Sequence, residues 1–440
     1  MSKPDVKLPV SFFSRLGPGL LLAATSIGAS HLVMSPRAGW MFGFQLLWLV
    51  PLTHIFKYHA FEFGPRYAAA TGESLIAGYA KVPGPKGWAL WVLLFVTVAQ
   101  GIGVLAGVVG IAAAVLSTFI GHEPFTGFYI IMVIGTVLLF LVLGGYNWLD
   151  FLNKIMMTVL FLATIVVFVP ACPGPAEFKH FVIPSVPAGS IAVIAGILGW
   201  MPTGIDVSVW HSLWTLEKHR DLASVQTLER RGEILKLSLM DMRLGYILSF
   251  VVASVFLLLA GVYLYGTTNE IDGAEFSRSL AKIYTDNIGY WMYFVFMVAA
   301  FTAMYSTVYA VMDGFSRAFA EMASTLFPKI RTGWRMKLYW IFVLSTAAFA
   351  ILILLALKGN NPVTLVLDVA FLGLCVAPLY YGLNYYCVTR LIKEERFKPK
   401  TLARLIALSG IIVVLSATLV CVVVKYEHFL RKILNVFVKS

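Results

Sequence analysis

Charge is scarce in this chain. Only 13% of its 440 residues are Asp, Glu, Lys or Arg, about half of the roughly 25% carried by a soluble globular domain. That scarcity excludes a soluble enzyme, a disordered chain and a nucleic-acid-binding module. Cysteine is scarce too. Cys172, Cys375, Cys387 and Cys421 are the four present, and no CxxC spacing joins them into a zinc site or a redox pair. Three of them lie inside apolar runs and read as packing residues. The chain also has no Walker A loop, no GxSxG and no HExxH. No enzyme and no cofactor are therefore expected, and any driving force comes from a gradient or a partner.

What the chain has in excess is hydrocarbon: 59% of residues are hydrophobic and the mean hydropathy is +0.83. About 260 apolar residues, at roughly 20 per spanning helix, bound the number of spans at about 13. Continuous apolar runs, rather than alternating ones, predict helices. Eleven candidate spans lie near 17–36, 43–64, 88–119, 126–146, 151–170, 190–213, 241–266, 287–322, 337–357, 363–388 and 403–425. No small-residue cleavage site follows the first run, which reads as a retained span. The expected class is an all-α polytopic membrane protein. It divides into a cytoplasmic segment 1–16, a transmembrane domain 17–425 and a tail 426–440.

The net charge of +12 reads as cytoplasmic loops facing anionic lipid, not as a nucleic-acid surface. Lys218, Arg220, Arg230, Arg231, Lys236 and Arg243 fall between spans six and seven. Lys329, Arg331, Arg335 and Lys337 fall between eight and nine, and Arg390 to Arg404 between ten and eleven. With Lys3, Lys7 and Arg15 these share one side. The alternate loops, at His122-Glu123, Glu177 to His180 and Lys358-Gly-Asn-Asn, are poor in cations. The N-terminus is thus expected in the cytoplasm of a cell bounded by this membrane. Lys425, Arg431, Lys432 and Lys439 then fall outside, and the stretch from His428 suits a short interfacial helix or marks a miscounted span.

Two spans are interrupted near their middle. The first contains Ser26-Ile-Gly-Ala-Ser30 and the sixth Gly199-Trp-Met-Pro-Thr-Gly204. Five spans separate them, the pattern of a five-plus-five inverted repeat and the best sequence pointer to a transport site. Pro202 lacks an N–H, and Gly28 and Gly204 open backbone conformations closed to other residues. Freed carbonyls and N–H groups are tolerated at membrane depth only where they line a cavity or bind something. The bland alternative is a kink at a small-residue packing interface.

Polar groups inside spans are site candidates. Gly28, Ala29, Ser30, His31, Met201, Thr203, Gly204 and Asp206 form the candidate substrate site. Asp206 offers a carboxylate, His31 an imidazole and Met201 a soft thioether, so His31, Met201 and Asp206 are a candidate metal set. Asp206 or His31 is also a candidate proton carrier. The second span carries His54, Lys57, His59 and Glu62. His59 and Glu62, three apart and close to Arg66, suit an inner gate. Gln100, His211, Asp313 with Arg317 four residues on, and Asp368 are further coupling or gating candidates, with Asn384 beside them.

Gly17-Pro18-Gly19 and Ala38-Gly39 resemble the first helix of the Nramp family of divalent metal transporters. Arg66 to Leu75 resembles the end of its second helix, Met201-Pro202 the start of its sixth-helix motif, and Tyr305 to Phe315 its eighth helix. The resemblance covers most of the chain, through about span ten. It implies a leucine-transporter-like fold of the amino acid–polyamine–organocation superfamily, about 11 helices, and alternating access around helices one and six. The family's Asp-Pro-Gly-Asn signature is replaced here by Gly28, Ala29, Ser30 and His31. The His after its sixth-helix Met-Pro becomes Thr203. Its acidic proton-path residues in helix three have no counterpart, since span three has no Asp or Glu. The expected function is secondary transport of a divalent metal ion. The open alternatives are a small organic solute such as an amino acid or amine, and a non-transporting scaffold on a transporter fold.

Overall fold

The computed structural model describes residues 25–121, 126–144, 146–219, 222, 227–267, 273–328, 333–357 and 362–437. The segment 1–16, the Gly17-Pro18-Gly19 match and the loop cations Arg220, Lys329, Arg331 and Lys358 lie outside those residues. So do His122-Glu123 and Lys439, and nothing is described of the side chains beyond residue 427. The described chain is helical. A π-helical turn, Ser30–Met34, leads into α1 (Ser35–Phe42), followed by α2 (Leu49–Thr71), α3 (Leu75–Tyr79), α4 (Trp88–Ile120), α5 (Thr126–Leu143) and α6 (Tyr146–Ala171). Then come α7 (Ile191–Trp200), α8 (Val207–Lys218), α9 (Leu228–Tyr263), α10 (Gly273–Asn287) and α11 (Met292–Leu326). Last are α12 (Trp334–Ala356), α13 (Pro362–Tyr386) and α14 (Thr401–Phe437).

Among the described residues, six helices are long and apolar enough to cross a membrane: α4, α9, α11, α12, α13 with its π-helical extension, and α14. The remaining expected spans depart from that pattern for physical reasons. The sixth is cut into α7 and α8, each too short alone. The second, α2, carries Lys57, Glu62 and Arg66, which lower its hydropathy while its polar face is buried by neighbours. Outward faces of α4 and α14 expose Phe95, Ile412 and Leu415, which water would penalise and lipid does not.

Three boundaries differ from the sequence reading. α9 begins at Leu228, so its first turns carry Arg230, Arg231 and Arg243 beyond the apolar stretch. Arg231 donates to the Ala70 carbonyl (2.9 Å) and Arg243 to Tyr58 Oη (2.8 Å), fastening α9 along α2. α10 is an amphipathic helix that a search for apolar runs does not find. α14 runs unbroken from Thr401 to Phe437, past the expected tail boundary.

The packing sets the site. α4 lies along α11 and α13, α9 lies along α1 and α2, and α7 packs on α13. The two interrupted segments are enclosed by this frame, with Ser26, Ser30, His31 and Met201 fully or almost fully buried.

Candidate functional site

The break in the sixth span follows from Pro202. α7 ends at Trp200, Met201 is extended (φ −100°, ψ 127°), and the Met201–Pro202 peptide is cis. Helix resumes at Val207. The last carbonyls of α7 therefore lack intrahelical partners at membrane depth. Lys57, 1% exposed, supplies them from α2: its Nζ donates to the carbonyl oxygens of Gly199 (3.1 Å) and Met201 (3.0 Å). A cation at a helix C-terminus also meets the negative end of the helix dipole. On the other side of the gap, Asp206 folds back over Gly204. A Cβ placed on Gly204 would stand 2.2 Å from Asp206 Oδ1, so a side chain there would displace the carboxylate from its present position.

The first span turns at Ile27-Gly28 and enters the π-helical turn at Ser30. Ser30 Oγ lies 2.5 Å from the Ser26 carbonyl, 3.0 Å from the Pro202 carbonyl and 2.6 Å from His31 Nδ1. It thereby fastens one break to the other. Gly28 is pressed against α11: a Cβ there would fall 2.0 Å from Thr307 Oγ1 and 2.9 Å from Thr307 Cβ.

Between the breaks lies a cavity of about 40 Å³. A water needs about 10–15 Å³ of such space, so the cavity has room for a few waters or a partly hydrated ion. Thr25, Ser30, Thr203, Asp206 and Thr307 bring side-chain oxygens to its wall, and Trp200, Trp210, Phe315, Val104, Val108 and Val311 close it with apolar surface. A void of about 10 Å³ beside Ile27, Leu160 and Val252 has one polar side chain on its wall, Thr164, whose hydroxyl is engaged with the Leu160 carbonyl (2.6 Å) and Tyr284 Oη (2.8 Å).

Of the expected substrate residues, Ala29, Ser30, Thr203, Gly204 and Asp206 line the cavity. Gly28 backs onto Thr307. His31 and Met201 are not among the lining residues, so the set His31, Met201 and Asp206 does not meet at this cavity. His31 Nε2 instead lies 2.7 Å from Ser249 Oγ and 3.0 Å from the Ser249 carbonyl, and His54 Nε2 reaches the same hydroxyl at 3.0 Å. Among the described residues no group of three or more His, Cys, Asp and Glu is placed to hold a metal.

The gating candidates form separate groups. Glu62 pairs with His59 Nδ1 (2.6 Å) and with Arg66, whose Nη1 donates to the Phe397 carbonyl (2.7 Å). Asp313 takes Arg317 Nε (2.8 and 2.7 Å), Trp214 Nε1 (3.2 Å) and Tyr339 Oη (3.0 Å), which joins α8, α11 and α12. Gln100 is buried beside Gly373 and its Oε1 has no partner. His211 is buried with neither ring nitrogen hydrogen-bonded. Asp368 is exposed and pairs with Lys425 (3.2 Å), away from the cavity. Asn384 donates to Ser208 Oγ (2.7 Å) and accepts from Tyr79 Oη (2.5 Å).

Thr25, Thr307, Ser249 and the role of Lys57 are not evident in sequence. A charge inside a span was the one available signal for Lys57.

The model of the natural resistance-associated macrophage protein-like (Nramp) family matches residues 19–423. The chain belongs to the Nramp family. It is an integral multi-pass membrane protein of a transporter family, and its departures from the family signature lie within that membership. An uncharacterised protein of Pasteurella multocida is 29% identical over 422 residues, 93% of this chain and 92% of that protein. The divalent metal cation transporter MntH of Staphylococcus saprophyticus is 25% identical over 272 residues, 60% of this chain and 59% of that one. In fold, a manganese transporter of Eremococcus coleocola superposes with a TM-score of 0.74 at 15% identity, covering 94% of this chain and 88% of its own. The nucleobase-cation-symport-1 family transporter Mhp1 gives 0.57 at 14% identity, over 92% and 91%. The fold is the expected leucine-transporter-like one, and the cut sixth helix is its interrupted element.

Proposed function

We propose that this Nramp-family chain carries a divalent metal cation across the cell membrane by alternating access, with the ion held between the two breaks. The observation that carries this reading is the cavity of about 40 Å³ between the breaks, mostly apolar but with one carboxylate, Asp206, and four hydroxyl residues among those that line it. Carboxylate and hydroxyl oxygens are hard donors and suit Mn²⁺ or Mg²⁺. Thiolates and thioethers, the soft donors, are absent from the lining residues, so soft ions such as Cd²⁺ gain no thioether from Met201. Names of relatives support a metal substrate: the Staphylococcus saprophyticus protein is called a divalent metal cation transporter and a Dictyostelium discoideum relative a metal transporter. The organic-solute reading fits less well, because such ligands occupy pockets of about 300–1,000 Å³.

Alternating access here means rocking of the half-helices about the cavity. With a cytoplasmic N-terminus, the Glu62–Arg66–Phe397 and Asp313–Arg317 groups lie at cytoplasmic ends and serve as the inner closure. Proton coupling does not follow from the cavity itself.

The test is thermal stability of the purified protein with Mn²⁺, Mg²⁺, Cd²⁺ and a panel of amino acids and amines. A ligand that binds the native state raises the melting temperature with concentration. The expected result is stabilisation by Mn²⁺, lost in Asp206→Asn. Stabilisation by an amino acid or amine and by no metal overturns the reading.

A further inference from the structure

The end of α7 has the chemistry of a cation site and already holds a cation. Two carbonyl oxygens, of Gly199 and Met201, converge on one point because Pro202 has ended the helix above them. Carbonyl oxygens at a half-helix C-terminus are what a broken membrane helix offers to a small cation. Here the point is filled by the ammonium of Lys57, which reaches in from α2 and is 1% exposed. Among the described residues the ammonium makes no salt bridge, and its two hydrogen-bond partners are those carbonyls. Across the same break, Asp206 is the carboxylate on the cavity wall. With both groups ionised their formal charges sum to zero, although the cavity presents a carboxylate.

We propose that Lys57 is a tethered monovalent cation. It fills the carbonyl cradle that a free ion would otherwise enter, and its charge sets how strongly the adjacent cavity attracts a cation. The cradle half of the inference is independent of what the cavity carries. The second half rests on the metal reading above. Neither carbonyl belongs to a residue that lines the cavity, so Lys57 acts on an ion there through its charge and not by competing for ligands. Lys57 thus acts as a specificity-determining residue without lining the cavity.

The experiment uses the purified full chain, its melting temperature recorded in NaCl, KCl and choline chloride at equal ionic strength. Lys57→Ala empties the cradle and leaves its carbonyls unpaired. The expected result is that Na⁺ or K⁺, but not choline, raises the melting temperature of Lys57→Ala with concentration. Wild type and Lys57→Gln, whose cradle stays filled by an N–H donor, melt alike in all three salts. A folded, monodisperse Lys57→Ala that melts alike in all three overturns the cradle. Should Lys57→Ala fail to fold, Lys57→Gln against Lys57→Arg decides. Removing the charge while keeping a donor tightens Mn²⁺ binding by about tenfold or more, and Lys57→Arg stays near wild type. Equal affinities in the three forms overturn the charge effect. Absence of Mn²⁺ binding to every form counts against the metal reading alone, and the monovalent salts still decide the cradle.

Discussion

Single side chains decide what the gap between the half-helices can hold. Gly28, where the resemblance to the family signature would place its Asp, has no room for a side chain. Thr307 occupies the space a side chain would need, at 2.0 Å from a Cβ. Because Thr307 Cβ is itself only 2.9 Å away, rotating the hydroxyl does not clear the clash. Gly28→Asp is therefore expected to destabilise the protein by about 1–3 kcal/mol, the usual penalty of overpacking, rather than to restore a metal ligand. Melting of the purified variant checks this, and adding Thr307→Gly should recover part of the loss. A Gly28→Asp protein as stable as wild type would show that the contact yields. Asp206 was legible in the sequence, because a carboxylate in a span is rarely idle. His31 was misplaced. Its position beside the break is correct, but the π-helical turn delivers its ring to Ser249 on α9, a partner far away in sequence. Thr25 and Thr307 carry no signal, since threonines in spans commonly bond to their own helix, as Thr307 does to Ala303 (2.9 Å).

Elements were more legible than contacts. Pro202 with Gly204 two residues on marks the gap from Met201 to Asp206, whereas Pro65 and Pro378 sit inside continuous helices. Apolar length alone does not reveal α10, whose composition is mixed, or mark where α14 stops. α2 is the element whose charges the apolar pattern could not explain. Three of them have found distinct partners: Lys57 on α7, Glu62 with His59 and Arg66, and Arg66 on the segment before α14. Glu62 is 3% exposed. Removing one partner of a buried pair leaves the other charge uncompensated, at a cost of about 3–5 kcal/mol. Glu62→Gln should accordingly lower the melting temperature markedly. The double variant Glu62→Gln, Arg66→Met, which removes both charges, should recover most of that loss. A double variant that melts no higher than the single one would show that α2 is held there by packing, not by charge.

For the whole molecule, the scarcity of charge was enough to specify a helical membrane protein. The Lys and Arg distribution adds an orientation that a chemical label can check. Cys172 is a free, exposed thiol at the end of α6, on the side expected to face outward. Cys387 and Cys421 are buried and Cys375 is partly so. A membrane-impermeant maleimide applied to intact cells should label the wild type and not Cys172→Ser. Labelling only after the membrane is opened would reverse the topology. What the sequence could not supply is the ligand set at the centre, because that set is built from residues brought together by long-range packing. The most direct test of the central claim is Mn²⁺ entry into liposomes containing the purified chain, read by an indicator trapped inside. Saturable uptake by wild type, reduced at least about tenfold in a folded Asp206→Asn, is the expected result, equivalent to about 1.4 kcal/mol or more at the site. Uptake by Asp206→Asn equal to wild type, or no Mn²⁺ entry alongside saturable entry of an amino acid or amine, would contradict it.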